Sequence, residues 1–241
     1  MQEITTAPPR IANTFGDRLG NVALGAVLAF SGAFQVVKVV EAIRAGDSVL
    51  ALYQTLIGLS TFVMVFLVIS RRPAVSRAAG WRSKVVAAIG SFIIIPLGAI
   101  SLTWSPPWLL ALTSGLLILS YIWIIWALLT LRRSFSVFAE ARQLVTHGPY
   151  GIVRHPLYAA YFLTYTCSVL PRQGVFSVAI LLVGITAEVS RSKHEERVLS
   201  AAFTEYAAYA RTVPAFFPFA RQFRATRRAN RWPVTEAAPQ Q

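Results

Sequence analysis

The sequence predicts an all-α protein, a polytopic membrane helix bundle with about six transmembrane helices, the last two forming a tight hairpin before a cytoplasmic amphipathic helix. Two features of composition favour this class: 55% of the 241 residues are hydrophobic and only 14% are charged, which departs from the balance of soluble domains. The third observation is the arrangement of the apolar residues in long runs that short polar loops separate. A bilayer is therefore the expected solvent of the chain.

Six apolar runs are candidates for membrane spans, because a helix needs roughly 20 apolar residues to cross the bilayer and fewer when it packs inside a bundle. The fifth and sixth runs are short, and Pro171 and Gly174 between them are poor helix-interior residues, so these two runs should form the hairpin. The predicted spans are Leu19–Val40, Val49–Ser70, Val85–Leu102, Trp108–Leu131, Leu157–Leu170 and Val175–Val189.

These spans divide the chain into four parts. Residues 1–18 form a flexible N-terminal leader, and residues 19–131 hold four transmembrane helices. Residues 132–219 form a core with a motif-bearing loop, the hairpin and the amphipathic helix, after which residues 213–219 make a non-helical apolar cover. Residues 220–241 are a flexible basic tail.

The positions of Lys and Arg predict the orientation. The net charge is +13, and positive residues favour cytoplasmic loops. We therefore expect both termini and the candidate active site to be cytoplasmic. Attraction of the basic tail to anionic lipid headgroups is a better explanation of its charge than nucleic-acid binding. The loops between spans two and three and between spans four and five carry Arg71, Arg72, Arg77, Arg82, Lys84, Arg132, Arg133, Arg142 and Arg154.

Polar residues that crowd against the membrane mark the candidate site. One group lies in residues 144–158, LVTHGPYGIVRHPLY, which we call the motif loop. The other lies in residues 192–199, SKHEERVL, and the hairpin should bring both segments to one cytoplasmic face. All three histidines are in these segments, but no HxxH or HExxH pair occurs, so we expect no metal site. Cys167 is the only cysteine, which excludes an internal disulfide and a CxxC site.

Two local patterns indicate how a ligand could be held. Pro156 after His155 is well placed as the first residue of a helix, whose free N–H groups, with Arg154 beside them, favour a carboxylate or phosphate. Contact of Arg154 with lipid phosphate is the alternative. Glu195 and Glu196 point roughly 100° apart on a helix, so one should face the bundle and receive hydroxyl or ammonium groups while the other orients a loop arginine. A solvated charge cluster is the alternative for this pair.

The stretch RRSFSVFAEARQLVTHGPYGIVRHPLY, followed by HEERVLSAAFTEYAAYARTVPAFFPF, resembles the isoprenylcysteine carboxyl methyltransferase family and its phospholipid methyltransferase relatives. The resemblance covers roughly residues 132–219. Its specificity comes from the order and spacing of GPYxxVRHPxY and EExxLxxxFxxYxxY, since each piece alone is weak.

The resemblance implies a membrane enzyme that uses S-adenosylmethionine to methylate a lipophilic or membrane-delivered acceptor, such as an isoprenylcysteine carboxylate. Prenylated protein carboxylate, phospholipid amine, a small thiol and another lipid all remain open as acceptors, and the oligomeric state is not readable. Gly151 departs from relatives with a larger residue there. The implied catalytic residues are Arg154, His155 and Glu196, and the implied cofactor-binding residues are His147, Gly148, Tyr150, Arg154, His155, Pro156, Tyr158, Glu195 and Glu196.

The same residues suggest how the cofactor could be bound. Arg154 and the helix start suit its carboxylate, one glutamate suits its ammonium or ribose, and Tyr150 or Tyr158 could pack against it with a cation–π contact to the sulfonium.

Two alternative functions remain. One is a sterol-reductase-like oxidoreductase that uses NADPH, since that superfamily shares an HPxY element and a glutamate pair, although Leu157 after Pro156 argues against it. The other is a non-enzymatic lipid-binding membrane protein that keeps the fold.

Overall fold

The computed structural model describes residues 15–77, 81–93, 105–172 and 174–218. These residues are mostly helical, which confirms the predicted all-α class. A two-stranded antiparallel sheet pairs β1 (Ser76–Arg77) with β2 (Glu140–Ala141). The helices are α1 (Phe15–Arg44), α2 (Ser48–Ser70), α3 (Trp81–Phe92), α4 (Pro107–Leu131), α5 (Pro149–Ile152), α6 (Pro156–Val169), α7 (Val175–Ala202) and α8 (Tyr206–Thr212).

Four helical segments in the described residues are long and apolar enough to cross a membrane: Gly25–Arg44, Ser48–Ser70, Pro107–Ser134 and Val175–Ala202. The chain is accordingly an integral membrane protein. The prediction of six spans is not confirmed. The third predicted span overlaps α3 but continues into residues 94–104, which lie outside the described residues, and α6 has only 14 residues.

Local sequence sets several helix boundaries. Asp47 caps α2 by accepting a hydrogen bond from Leu50 N at 2.9 Å, a usual role for aspartate at this position. Pro107 and Pro156 begin α4 and α6, where a missing N–H costs nothing. α2 and α4 begin within one residue of their predicted starts, whereas α1 begins at Phe15 and so includes the end of the predicted leader.

The core lies where α4 packs against α2 and α6. Trp123 Nε1 donates to Pro156 O at 3.1 Å and fixes the start of α6 against α4. The Ser120 hydroxyl lies 2.9 Å from both Ala160 O and Thr164 Oγ1, so its polar group is satisfied between the two helices. The buried apolar residues of this core are Leu67, Val68, Ile124, Leu128, Phe135 and Ala160.

Contacts between helix ends show which of these ends lie on the same side of the bundle. Arg72 N donates to Arg133 O at 2.9 Å, and Arg191 Nη2 donates to Val137 O at 2.9 Å, so the C-terminal ends of α2, α4 and α7 share one side. Ser105 Oγ lies 3.5 Å from Pro171 O on the other. α4 and α7 therefore run in the same direction, and α6 runs opposite to both.

Candidate active site

The start of α6 is built by a distant segment of the chain. Arg154 N donates to Pro214 O at 2.8 Å, and His155 N donates to Ala215 O at 3.0 Å. The Phe216 ring lies 5.4 Å from the His155 ring. These two N–H groups are therefore not available to a ligand, because a segment more than fifty residues later in the chain uses them.

The Arg154 guanidinium is also engaged, at all three of its nitrogens. Its Nε and Nη2 donate to Glu196 Oε1 at 3.1 and 2.8 Å, and its Nη1 donates to Ala210 O at 2.6 Å and Val213 O at 3.1 Å. Arg154 thus joins the motif loop, α7 and the end of α8. Glu196 is the glutamate that orients the loop arginine.

His155 lies between the two glutamates. Only 4% of the residue is exposed, its Nε2 is 2.9 Å from Glu196 Oε1, and its Nδ1 is 3.9 Å from Glu195 Oε2. The rings of Tyr158 and Phe216 lie 5.5 and 5.4 Å from the imidazole. The ring is held by packing and by one close carboxylate.

Glu195 is the glutamate that faces the bundle. The Tyr158 hydroxyl donates to its Oε2 at 2.9 Å, and the Glu195 side chain remains about a third exposed. Arg191 lies over the Tyr158 ring, with its guanidinium carbon 5.2 Å from the centroid. Glu195 therefore presents a positioned carboxylate with free acceptor capacity.

Three tyrosines outside the long helices surround this carboxylate. Tyr209 donates its hydroxyl to Tyr150 O at 2.6 Å, which ties α8 to the motif loop. Burial raises the pKa of Tyr150, and the negative charge of Glu195 adds to the effect. Burial, followed by the charge of Glu196, raises the pKa of Tyr206 as well, and a side-chain hydrogen bond to Glu196 adds to the effect. Tyr206 is therefore a neutral hydroxyl beside Glu196.

The other predicted site residues lie away from this group. His147 and Gly148 are exposed. Gly148 has φ +60°, which suits glycine, and a side chain there would contact Thr130. His194 Nδ1 lies 2.7 Å from Ser190 O on its own helix. The three histidines do not converge, and within the described residues no three His, Cys, Asp or Glu side chains group as metal ligands.

A cavity of about 230 Å³ connects the site to the helix bundle. At one end it is lined by Tyr150, His155, Tyr158, Glu195 and Tyr206. At the other end it is lined by residues of α2, α4 and α6, namely Ser60, Thr61, Tyr121, Ile124 and Thr164. Glu196 is absent from its lining, in keeping with the pairing of that side chain to Arg154.

Two charged residues of this cavity region were not predicted. Glu188 is completely buried, and its Oε1 and Oε2 accept from Arg191 Nη1 at 3.1 and 2.9 Å. The Tyr165 hydroxyl donates to Gly90 O at 2.6 Å and lies 3.1 Å from Glu188 Oε1. The sequence did contain a signal for this pair, namely a glutamate inside an apolar run, since ionisable residues at membrane depth are costly and tend to be functional.

Residues 98–206 match the model of the phospholipid methyltransferase family. The predicted family resemblance is confirmed. The match spans the cavity-lining parts of α4, α6 and α7 and the whole motif loop.

Two curated relatives share part of the sequence. The cobalt-zinc-cadmium resistance protein CzcN of Cupriavidus metallidurans is 35% identical over 121 residues, which are 48% of this chain and 52% of the relative. The nickel-cobalt-cadmium resistance protein NccN of Alcaligenes xylosoxydans xylosoxydans is 38% identical over 88 residues, which are 35% of this chain and 40% of the relative. The matched region thus spans about half the length of these relatives or less.

Proposed function

We propose that the chain is an S-adenosylmethionine-dependent methyltransferase that modifies a lipophilic acceptor delivered from the membrane. The observation that carries this proposal is the cavity that joins the motif residues to the interior of the helix bundle. Such a cavity would let a soluble donor and a membrane-borne acceptor meet away from water. The family match supports the reaction class.

The residues at the motif end fit the chemistry of the donor. S-adenosylmethionine supplies an electrophilic methyl group on a cationic sulfonium and also carries an ammonium and ribose hydroxyls. Glu195 offers a carboxylate to cationic or hydroxyl groups. Tyr150 and Tyr158 offer aromatic faces. The cavity is smaller than the roughly 300 to 1,000 Å³ of most ligand pockets, so it must widen to hold donor and acceptor together.

Arg154 and Glu196 have positioning roles in this proposal. Their ion pair holds the motif loop, α7 and the segment after α8 in one arrangement. His155 is supported by Glu196 and in turn packs on Tyr158, whose hydroxyl contacts Glu195. The Glu196 side chain therefore acts on the cofactor site through its neighbours.

His155 is also the best-placed base if the acceptor is an amine or a thiol. A proton on Nε2 forms the hydrogen bond to Glu196 and leaves Nδ1 with a free lone pair. The proton released by the acceptor would pass to Nδ1. A carboxylate acceptor requires no base, so a loss of maximal rate in His155→Gln that higher pH restores would indicate an amine or thiol acceptor, whereas a loss independent of pH would indicate only the positioning role of His155.

Calorimetry on the purified full-length chain in micelles tests the proposal. We expect S-adenosylmethionine to bind with a stoichiometry near one, and NADPH not to bind. A second assay adds S-adenosylmethionine with a labelled methyl group and extracted membrane lipids, and the label should enter the lipid fraction. Binding of NADPH alone would support the reductase alternative, and binding of neither compound would support a non-enzymatic role.

A further inference from the structure

A second concave surface lies on the outside of the bundle, between α2 and α4. It encloses about 830 Å³ and is separate from the cavity of the candidate active site. We call it the α2–α4 groove. Its apolar part is formed by Phe62, Val63, Phe66, Leu67 and Leu129, and its polar end by Ser70, Arg132 and Arg133.

From its apolar start at Phe62 to its polar end at Ser70, the groove fits within one leaflet. Phe62, Phe66 and Ser70 follow one another at four-residue intervals on one face of α2, which spans about 12 Å at 1.5 Å per residue. Half of a hydrocarbon core of about 30 Å is 15 Å. Phe62, Phe66 and Leu129 are 49%, 67% and 54% exposed, so they are open to a lipid chain.

The polar end carries two positive charges at the depth where both helices end. Arg132 and Arg133 are exposed, and Arg133 Nε donates to Ser70 O at 2.7 Å. The Arg132 side chain makes no ion pair with any residue that the structure describes. The Ser70 hydroxyl is buried and has no hydrogen-bond partner among those same residues.

The backbone conformation of Arg132 also favours a ligand at this end of the groove. Arg132 has φ +50° and ψ −128°, a conformation that favours glycine, and in the described part of the chain no other non-glycine residue has a positive φ. An arginine at a helix C-terminus interacts favourably with the helix dipole, but this interaction does not require the unfavourable conformation. A strained residue that keeps a charged side chain is consistent with a ligand at that position.

We propose that the α2–α4 groove binds an anionic phospholipid, with one acyl chain along Phe62, Phe66 and Leu129 and the headgroup phosphate beside Arg132 and Arg133. Charge complementarity favours an anionic lipid over a zwitterionic one. This site is independent of the proposed methyl transfer, because the groove and the active-site cavity share no lining residue.

Native mass spectrometry of the full chain, released from nanodiscs that contain equal amounts of phosphatidylglycerol and phosphatidylcholine, tests the proposal. Arg132→Gln with Arg133→Gln should weaken retained phosphatidylglycerol about thirtyfold, given the usual contribution of two basic residues near a membrane surface. The matched control, Arg197→Gln with Arg211→Gln, removes two exposed positive charges outside the groove and should retain the lipid.

Arg132→Gly separates lipid binding from folding. It relieves the positive φ and should keep or raise thermal stability, while retained phosphatidylglycerol should fall. Equal loss in the control pair would overturn the proposal in favour of diffuse surface charge. Equal retention of phosphatidylcholine, or displacement of the lipid by free glycerol phosphate, would overturn it too, because the first removes headgroup selectivity and the second removes the role of the apolar groove.

Discussion

At the scale of single residues, the two adjacent glutamates have different surroundings. Glu196 is engaged by Arg154 and His155, whereas Glu195 is bound by one tyrosine hydroxyl and lines the cavity. One carboxylate therefore maintains the shape of the site, and the other is available to a ligand. Neighbours in sequence can differ this way because a helix turns them about 100° apart.

This difference predicts distinct phenotypes. Glu195→Gln should weaken S-adenosylmethionine binding about tenfold to a hundredfold, the size expected when a charged hydrogen bond is lost, without lowering the unfolding temperature. Glu196→Gln should lower the unfolding temperature, because Arg154 loses its charged partner. Calorimetry and thermal unfolding measure the two effects.

Glu205→Gln is the matched control for both variants, since Glu205 is exposed and lies outside the cavity. It should change neither quantity. Unchanged cofactor affinity in Glu195→Gln would contradict the assignment of this carboxylate to the ligand.

The buried pair of Glu188 and Arg191 allows a second test at residue scale. Arg191→Met leaves Glu188 without its charged partner and should cost about 3 to 5 kcal/mol of unfolding free energy, as is usual when half of a buried ion pair is removed. The double variant with Glu188→Leu should recover most of this loss, because no lone charge remains. Unfolding in mixed detergent micelles measures both variants. Additive losses in the double variant would mean that the two side chains are energetically independent.

At the scale of helices, the contact between α3 and α7 depends on a glycine. A Cβ added at Gly90 would lie 2.7 Å from Glu188 Oε1 and 3.2 Å from Arg191 Cδ. Gly90 therefore lets the backbone of α3 approach the ion pair on α7, and its carbonyl accepts the Tyr165 hydroxyl. Close packing of this kind fixes one wall of the cavity.

Gly90→Ala should accordingly destabilise the protein by about 1 to 3 kcal/mol, the range for overpacked sites. Gly115→Ala is the matched control, since nothing lies within 4 Å of its added methyl and alanine favours a helix by about 0.5 to 1 kcal/mol. Thermal unfolding should move in opposite directions for the two variants. A stabilised Gly90→Ala would show that α3 and α7 are not in close contact there.

The elements that were predicted well are those whose signals are local. α2 and α4 combine long apolar runs with Asp47 and Pro107 at their starts, so composition and capping sufficed. The sixth predicted span ended at Val189, and α7 continues from it to Ala202 without a break, so Glu195 and Glu196 lie on a helix as the sequence indicated. Two features of the site join segments that are distant in sequence: the pairing of Arg154 with Glu196, and the hydrogen bonds from two N–H groups to residues 214 and 215. A periodic pattern cannot predict such contacts.

At the scale of the whole molecule, the parallel direction of α4 and α7 constrains the topology. Both helices are long enough to cross the membrane, and their C-terminal ends lie on one side. The chain between them must therefore return across the bilayer, and α6 is the described helix available for this. Its 14 residues cover about 21 Å, less than the roughly 30 Å of the hydrocarbon core, so residues next to α6 must complete the crossing.

Labelling with a membrane-impermeant maleimide tests this topology and the predicted cytoplasmic site together. In a Cys167→Ala background, single cysteines replace exposed residues at Ala45, Val175 and Arg197. Ala45→Cys precedes α2 and Val175→Cys begins α7, so both should react in intact cells. Arg197→Cys lies beside the candidate site and should react only after permeabilisation, because the basic loops hold that side in the cytoplasm. Reaction of Val175→Cys only after permeabilisation, with Ala45→Cys open to the reagent, would mean that α6 does not carry the chain back across the bilayer.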